Sequence, residues 1–119
     1  MRFYIDGGVR SHQTPGKRRG FIAVVYGNKK VVEAVGGVTN NQAEYLALIR
    51  ALELARGEAD VEILSDSELL VRQMKGEYAV RNQNLVPLHR KAKELVRGFE
   101  HFTVQWVPRG ENLAGKVLE

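Results

Sequence analysis

Three acidic residues lie at strand ends or near a helix start, where carboxylates can meet and bind a ligand. Asp6 follows an aromatic and β-branched run, Glu44 lies near the start of a helical pattern, and Asp66 follows a nearly continuous apolar run. Ligand sites of open α/β sheets gather at strand ends and nearby helix termini, so these side chains can converge. Converging carboxylates hold hard cations such as magnesium, which keep water and substrate phosphate as further ligands. The pattern therefore predicts a metal site suited to in-line phosphoryl displacement.

Each acid also has an ordinary structural interpretation. Asp6 precedes two glycines and could be a turn residue. Glu44 could simply stabilise the positive end of a helix, and Asp66 could cap the helix that follows it. The three acids together are better explained as catalytic residues and metal ligands.

Composition limits the remaining possibilities. The chain has 119 residues, of which 44% are hydrophobic, and this predicts one domain over 1–119 with one core. It contains no cysteine, which excludes disulfides and thiolate metal sites. The net charge of +4 is compatible with a polyanionic partner. No apolar run has membrane-spanning length and the N-terminus lacks a signal-peptide pattern, so we expect a cytoplasmic protein without membrane contact.

Residue periodicity predicts the elements that position the acids. Strands are expected at 2–6, 20–27, 30–37, 61–64 and 102–107, and helices at 40–56, 67–75, 85–97 and 111–119. The first strand should stop at Gly7-Gly8, and Gly27-Asn28 should form a tight turn, because both residues tolerate positive φ. Thr39 or Asn40 should cap the first helix. This order indicates an α/β protein with a mixed sheet and helices packed against it.

Four motifs, in this order and spacing, resemble type 1 ribonuclease H. Tyr4-Ile5-Asp6-Gly7-Gly8 is similar to the opening strand of that family, and Thr39-Asn40-Asn41-Gln42-Ala43-Glu44 to the start of its first helix. Ile63-Leu64-Ser65-Asp66-Ser67 is similar to its fourth strand, and Trp106-Val107-Pro108-Arg109 to its last strand and exit loop. The resemblance covers nearly the whole chain.

The resemblance implies both a fold and an activity. The fold would be ribonuclease H-like, a five-stranded mixed sheet in the order 3-2-1-4-5 with helices on both faces. Two divalent metals, Mg²⁺ with Mn²⁺ as a substitute, would be held by Asp6, Glu44 and Asp66. The protein would be an endonuclease that hydrolyses the RNA strand of RNA–DNA hybrids and leaves 3′-hydroxyl and 5′-phosphate ends. It would act as a monomer without an obligatory protein partner.

The same resemblance suggests residues that bind substrate. Asn40 and Asn41 would reach the minor groove, where the 2′-hydroxyl distinguishes RNA from DNA, and Thr39 would contact a DNA phosphate. Arg109 would bind the scissile phosphate, and Arg81-Asn82 could bind another phosphate before a helix start. Asn40 and Asn41 could instead only cap the helix, and Thr39 could be a turn or N-cap residue. Arg109 could be exposed to solvent or contact the backbone, and Arg81-Asn82 could be an ordinary turn. The segment 76–85 is too short for the basic protrusion of some relatives, so 17–19 and Lys75 are further candidates for hybrid binding.

The chain departs from the family near its last helix. Relatives carry a fourth acid within a stretch that resembles Asn-x-x-Ala-Asp-x-Leu-Ala, whereas 111–116 contains no Asp. One alignment places Lys116 at the acid position, and the other brings Asn112 close to it. We favour Asn112 as a catalytic residue and metal ligand, because an amide oxygen can bind a hard cation. Glu111 is a possible substitute, and Asn112 could instead only cap the last helix. On the favoured alignment, Asn112→Asp should not lower hydrolysis at saturating metal.

Two alternatives to the nuclease stay open. A hybrid- or double-stranded-RNA-binding module of the same fold would be catalytically weak because it lacks the fourth acid. Another nuclease or recombination enzyme of the wider superfamily would share the carboxylate geometry. The exit loop at 107–110 also lacks the histidine of many relatives, and His12, His89 and His101 are expected on the surface.

Overall fold

The computed structural model describes residues 1–11 and 18–119, which form five strands and four helices. The strands are β1 (Arg2–Ser11), β2 (Arg18–Tyr26), β3 (Lys29–Gly36), β4 (Asp60–Ser65) and β5 (His101–Trp106). The helices are α1 (Asn40–Leu54), α2 (Glu68–Met74), α3 (Val86–Val96) and α4 (Leu113–Leu118). A short 3₁₀ turn, Arg109–Glu111, precedes α4. Every predicted element is therefore present among the described residues.

The strands form one mixed sheet in the order β3-β2-β1-β4-β5. β2 pairs antiparallel with both β1 and β3, whereas β4 pairs parallel with both β1 and β5. Successive side chains of a strand point to opposite faces. Phe3 and Ile5 accordingly join the main core with α1, α2 and α3, while Tyr4 packs with Ala114 of α4 in a smaller cluster. The predicted order and the helices on both faces are confirmed.

β1 is longer than its sequence predicted. The expected stop at Gly7-Gly8 is wrong, because the strand continues to Ser11 and both glycines pair with β2. Gly7 does not form a turn; it allows the backbones of β1 and α1 to approach each other closely. A β carbon at Gly7 would overlap the carbonyl of Ala43 in α1. The absence of a side chain lets α1 lie directly against the central strand.

Local signals set the ends of the helices. Thr39 caps α1 in a reciprocal capping box with Gln42, at one of the two positions predicted. Ser67, and not Asp66, caps α2 through its hydroxyl, so the carboxylate of Asp66 is free for another role. In the turn between β2 and β3 only Gly27 has a positive φ, of 56°, whereas Asn28 does not. None of the helices in the described ranges is long and apolar enough to cross a membrane.

Candidate active site

The sheet register brings Asp6 and Asp66 side by side. Ile5 of β1 pairs with Ser65 of β4 in parallel, and each acid is the next residue of its chain. Asp6 is 2% exposed and points to the face that α4 covers, because it alternates with the core residue Ile5. The carboxyl end of β4 thus presents Asp66 beside the middle of β1.

Glu44 reaches the same place from α1. Its neighbour Ala43 packs on Gly7, which brings the first turns of the helix against β1 next to Asp6. One oxygen from each of Asp6, Glu44 and Asp66 lies within 4.8 Å of the others. The structure therefore brings together the three acids that the sequence singled out.

Two carboxylate oxygens of the acid cluster are left without a hydrogen-bond donor from the part of the chain that the structure describes. Asp6 Oδ1 and Glu44 Oε2 are buried and have no hydrogen-bond partner among the described residues. Burial, followed by the charges of Asp6 and Asp66, raises the pKa of Glu44 to about 9. Burial and the charge of Asp66 raise the pKa of Asp6, although Arg109 opposes this shift. Buried carboxylate oxygens without partners fit a hard divalent cation, which binds oxygen ligands and compensates their charge.

Arg109 is the cation that the chain itself brings to this cluster. It follows β5 in the 3₁₀ turn, and its guanidinium Nη1 lies 3.3 Å from Asp66 Oδ2 and 3.6 Å from Asp6 Oδ1. The charge of Asp6 is the main cause that raises the pKa of Arg109. Arg109 was expected near the scissile phosphate, and the structure places it on the carboxylates themselves.

Asn112 is fully buried beside Asp66, but its amide is turned differently from our expectation. Its Nδ2 donates to the carbonyl of Ile5 at 2.9 Å and to Asp66 Oδ2 at 3.0 Å. Its Oδ1 accepts from the backbone N–H of Ala114 at 3.1 Å and caps α4. The backbone groups of Ile5 and Ala114 fix this orientation, since one can only accept and the other can only donate. Asn112 thus presents N–H, and not a ligand oxygen, to the acids.

Gly115 is the position that both alignments missed. A β carbon built there would lie 3.6 Å from Asp6 Oδ2 and 3.7 Å from Asp66 Oδ2, at ordinary contact distance. A side chain at position 115 would therefore enter the acid cluster, whereas Lys116 is exposed. The signal was Ala114-Gly115, which aligns with the family's Ala-Asp pair once the stretch after Asn112 is shortened by one residue. Gly115 therefore lies where a fourth acidic side chain could reach the cluster, and it has no side chain.

Trp106 supports Asp66 from the last strand. Its indole N–H donates to the backbone carbonyl of Asp66 at 3.1 Å, although its ring is 51% exposed. The side chain and the backbone of Asp66 are therefore held by different partners, Asn112 and Trp106. The sequence marked Trp106 only as part of a family motif.

A groove of about 360 Å³ opens beside the acids and is lined by Asn40, Arg109 and Arg10 as well as by Asp6 and Glu44. Asn40 is fixed through its Oδ1, which accepts from the backbone N–H of Val9 at 2.9 Å. Thr39 and Asn41, both exposed, flank Asn40 at the start of α1. Arg10 was not among the substrate-binding residues predicted from the sequence.

The other candidates lie apart from the acids. Asn82 Oδ1 accepts from the backbone N–H of Asn84 in the turn before α3, and no hydrogen bond or ion pair within the described ranges joins Arg81 or Asn82 to the cluster. His89 contacts the carbonyl of Gln73 and His101 contacts Asp60, so neither reaches the site. Lys17 and His12 fall outside the described residues.

The fold and the site define an α/β protein with a cluster of three carboxylates that could hold a metal ion. The family model described as reverse transcriptase-like matches residues 5–118. The curated ribonuclease HI of Halobacterium salinarum is 36% identical over 97% of this chain. A bifunctional protein of Mycobacterium tuberculosis is 36% identical over 90% of it. The chain covers 60% and 31% of the lengths of these two relatives.

Solved structures that are similar to this chain include two of RNase H1. The crystal structure of RNase H1 from Halobacterium salinarum superposes with a TM-score of 0.81 at 34% identity, covering 98% of this chain and 92% of that one. LC11-RNase H1 in complex with an RNA/DNA hybrid gives a TM-score of 0.75 at 29% identity, covering 99% of both chains. The chain belongs to the type 1 ribonuclease H family.

Proposed function

We propose that this protein is a metal-dependent endonuclease that hydrolyses the RNA strand of RNA–DNA hybrids. The convergence of Asp6, Glu44 and Asp66, with two buried carboxylate oxygens lacking a partner among the described residues, carries the proposal. Membership of the family and the hybrid bound by LC11-RNase H1 support the choice of substrate. The products would carry 3′-hydroxyl and 5′-phosphate ends.

The cofactor in this proposal is Mg²⁺, with Mn²⁺ as a substitute, because all three candidate ligands are carboxylates. When bound, the metal would polarise the phosphate and activate the attacking water. The chain itself would orient Asp66 through Asn112 and Trp106. The contact between α1 and Gly7 would hold Glu44 close to Asp6. These contacts fix the carboxylates before substrate arrives, which lowers the cost of assembling the site.

Substrate recognition would start at the N-terminal end of α1. Asn40 lines the groove beside the acids, and Thr39 and Asn41 are exposed next to it. Their amide and hydroxyl groups could contact the 2′-hydroxyl of the RNA strand and a phosphate of the DNA strand. Arg10 and Arg109 would add positive charge at the groove, and Arg81 and Asn82 would contact a more distant phosphate.

Residues 1–119 would act as one ribonuclease H domain and as a monomer. All three acids come from one chain, so a second copy is not needed to complete the site. A cytoplasmic location belongs to the proposal as well, since a chain without cysteine needs no oxidising compartment.

The test uses a hybrid with a label on either strand. Incubation with Mg²⁺ or Mn²⁺ should shorten the RNA strand and leave the DNA strand intact, and EDTA should stop the reaction. Asp6→Asn should lower the cleavage rate by roughly 10²-fold or more, because it removes a charged ligand from the site. Asp60→Asn is the matched control, since Asp60 is an exposed acid at the start of β4. Equal activity of the two variants would contradict the proposal.

The binding module is the second candidate, and Gly115 is the observation that favours it. A site with three acids, where relatives have four, could retain hybrid binding and lose cleavage. A gel shift of the labelled hybrid without shortening of the RNA strand, in both metals, would identify that function.

A further inference from the structure

The acid cluster is electrostatically asymmetric. Asp66 Oδ2 receives two donors, the guanidinium of Arg109 and the amide of Asn112. Glu44 Oε2 receives none, and no ion pair to Glu44 is found within the described part of the chain. One side of the cluster is thus supplied with positive charge by the chain, and the other is not.

Arg109 lies at the place that the missing side chain leaves open. A β carbon at Gly115 would lie 3.7 Å from Arg109 Nη1 and about as far from the nearest oxygens of Asp6 and Asp66. A carboxylate attached at position 115 would contribute another negative charge to this corner of the site. The chain has glycine there and a guanidinium beside it. The glycine leaves out a negative charge and the guanidinium adds a positive one, so both make this corner of the site more positive.

The charges of the cluster then limit how many metal ions it can hold. When a bound metal ion has displaced the proton of Glu44, three ionised carboxylates and one guanidinium leave two negative charges, which one divalent cation neutralises. A second divalent cation would bring excess positive charge next to Arg109. It would also compete with the N–H groups of Arg109 and Asn112 for Asp66 Oδ2. Metal affinity depends on the number of charged ligands, so a second ion would bind weakly.

We propose that the site takes one divalent metal ion and that Arg109 supplies the second positive charge. This inference rests on the proposed function and deepens it, since it concerns the cations of the same site. The side chain of Arg109 is 58% exposed, so it reaches the carboxylates from the solvent side, where substrate phosphate would also arrive. Its guanidinium could therefore contact the acids and the substrate together, because it has five N–H donors.

The number of bound ions is the direct test. Mn²⁺ titrated into the intact protein and counted by electron paramagnetic resonance should reach one ion per chain. The double variant Arg109→Ala/Gly115→Asp replaces the guanidinium by a fourth carboxylate at the same corner, and it should bind two. Arg97→Ala removes an exposed arginine elsewhere and should bind one. The dependence of the initial cleavage rate on Mg²⁺ should have a Hill slope near one for wild type and near two for the double variant.

A second pair of variants separates charge from folding. Arg109→Gln keeps much of the side chain and removes its charge, whereas Arg109→Lys keeps the charge. Arg109→Gln should weaken the competition with Mn²⁺ at Asp66 and allow a second ion at millimolar Mn²⁺, and Arg109→Lys should still bind one. Urea midpoints measured beside the titrations show that each variant is folded.

Two results would overturn the inference. The inference alone would be contradicted if wild type cleaved the hybrid and bound two Mn²⁺ ions, and if Arg109→Gln bound the same number. No Mn²⁺ binding and no cleavage by wild type would contradict the proposed function, and the inference would fall with it.

Discussion

Gly7 and Ala43 touch backbone to backbone. A β carbon on Gly7 would overlap the carbonyl oxygen of Ala43 and lie 2.6 Å from the backbone nitrogen of Glu44. The contact sets the distance between β1 and α1, and therefore the distance between the carboxylates of Asp6 and Glu44. The geometry of the site thus depends on a residue without a side chain.

Gly7→Ala should damage both stability and activity. The added methyl group must push α1 from β1, which costs about 1–3 kcal/mol in the free energy of unfolding. The shift also moves Glu44 relative to Asp6, so hybrid cleavage should fall by at least about tenfold even where the variant is folded. Gly8→Ala is the matched control, because the nearest atom to its β carbon, Asn40 Oδ1, lies 4.0 Å away. Urea unfolding and cleavage rates that are alike in both variants would show that the close contact is unimportant.

Glu44→Gln should change how stability depends on pH in EDTA. The pKa of Glu44 is 4.5 in the unfolded chain and about 9 in the fold. Between these values the folded chain keeps a proton that the unfolded chain has released, so the free energy of unfolding falls as pH rises. Glutamine cannot ionise, and the variant should show a flatter profile and exceed wild type in stability at about pH 8.

Urea unfolding at several pH values measures this slope. Glu53→Gln serves as the control, because Glu53 is an exposed acid of the same helix. Parallel profiles for Glu44→Gln and wild type would show that Glu44 does not carry the effect. Mg²⁺ should stabilise wild type at about pH 8, since a cation that binds only the folded chain shifts the equilibrium towards it.

Asn112→Asp should be harmful, which reverses the sequence-based expectation. An ionised carboxylate at position 112 would have no N–H for the carbonyl of Ile5 and would repel Asp66 Oδ2, the two oxygens to which Asn112 Nδ2 now donates at 2.9 and 3.0 Å. Leaving these buried groups unpaired should lower the free energy of unfolding by roughly 2–4 kcal/mol. Cleavage at saturating metal should fall too.

Asn84→Asp, at an exposed position, provides the comparison for this change. Thermal melts and cleavage assays of both variants decide between the two views of Asn112. Higher activity of Asn112→Asp with unchanged melting would restore the view that this side chain is a metal ligand.

Tyr45→Phe should weaken the fold without changing the chemistry. The hydroxyl of Tyr45 in α1 donates to Gln73 Oε1 in α2 at 2.7 Å, and both residues are buried. Removing the hydroxyl leaves an unpaired buried oxygen and should cost about 1–2 kcal/mol. Tyr78→Phe, at a ring that is 47% exposed, should cost almost nothing. Urea midpoints test the difference, and a large loss of cleavage in folded Tyr45→Phe would contradict a purely structural role.

Elements with strong local signals were predictable from the sequence. The apolar period of 40–56 predicted α1, which runs from Asn40 to Leu54, and Thr39 caps it as one of two expected residues. Gly7-Gly8 led to a wrong end for β1. The strand continues because it pairs with β2 and because Gly7 contacts α1, and both interactions involve residues far away in the chain. The residues next to the glycines therefore do not reveal them.

The sequence by itself determined which acids come together and which fold brings them together. The types, order and spacing of Asp6, Glu44 and Asp66 are properties of the chain, and so are the periods that distinguish strands from helices. Only the tertiary structure decided that Asn112 turns its N–H towards Asp66, that Arg109 lies on the carboxylates, and that Gly115 marks the missing acid. The packing of the elements decides where a side chain at a helix start points and which distant residues come into contact. A local sequence pattern does not reveal this packing.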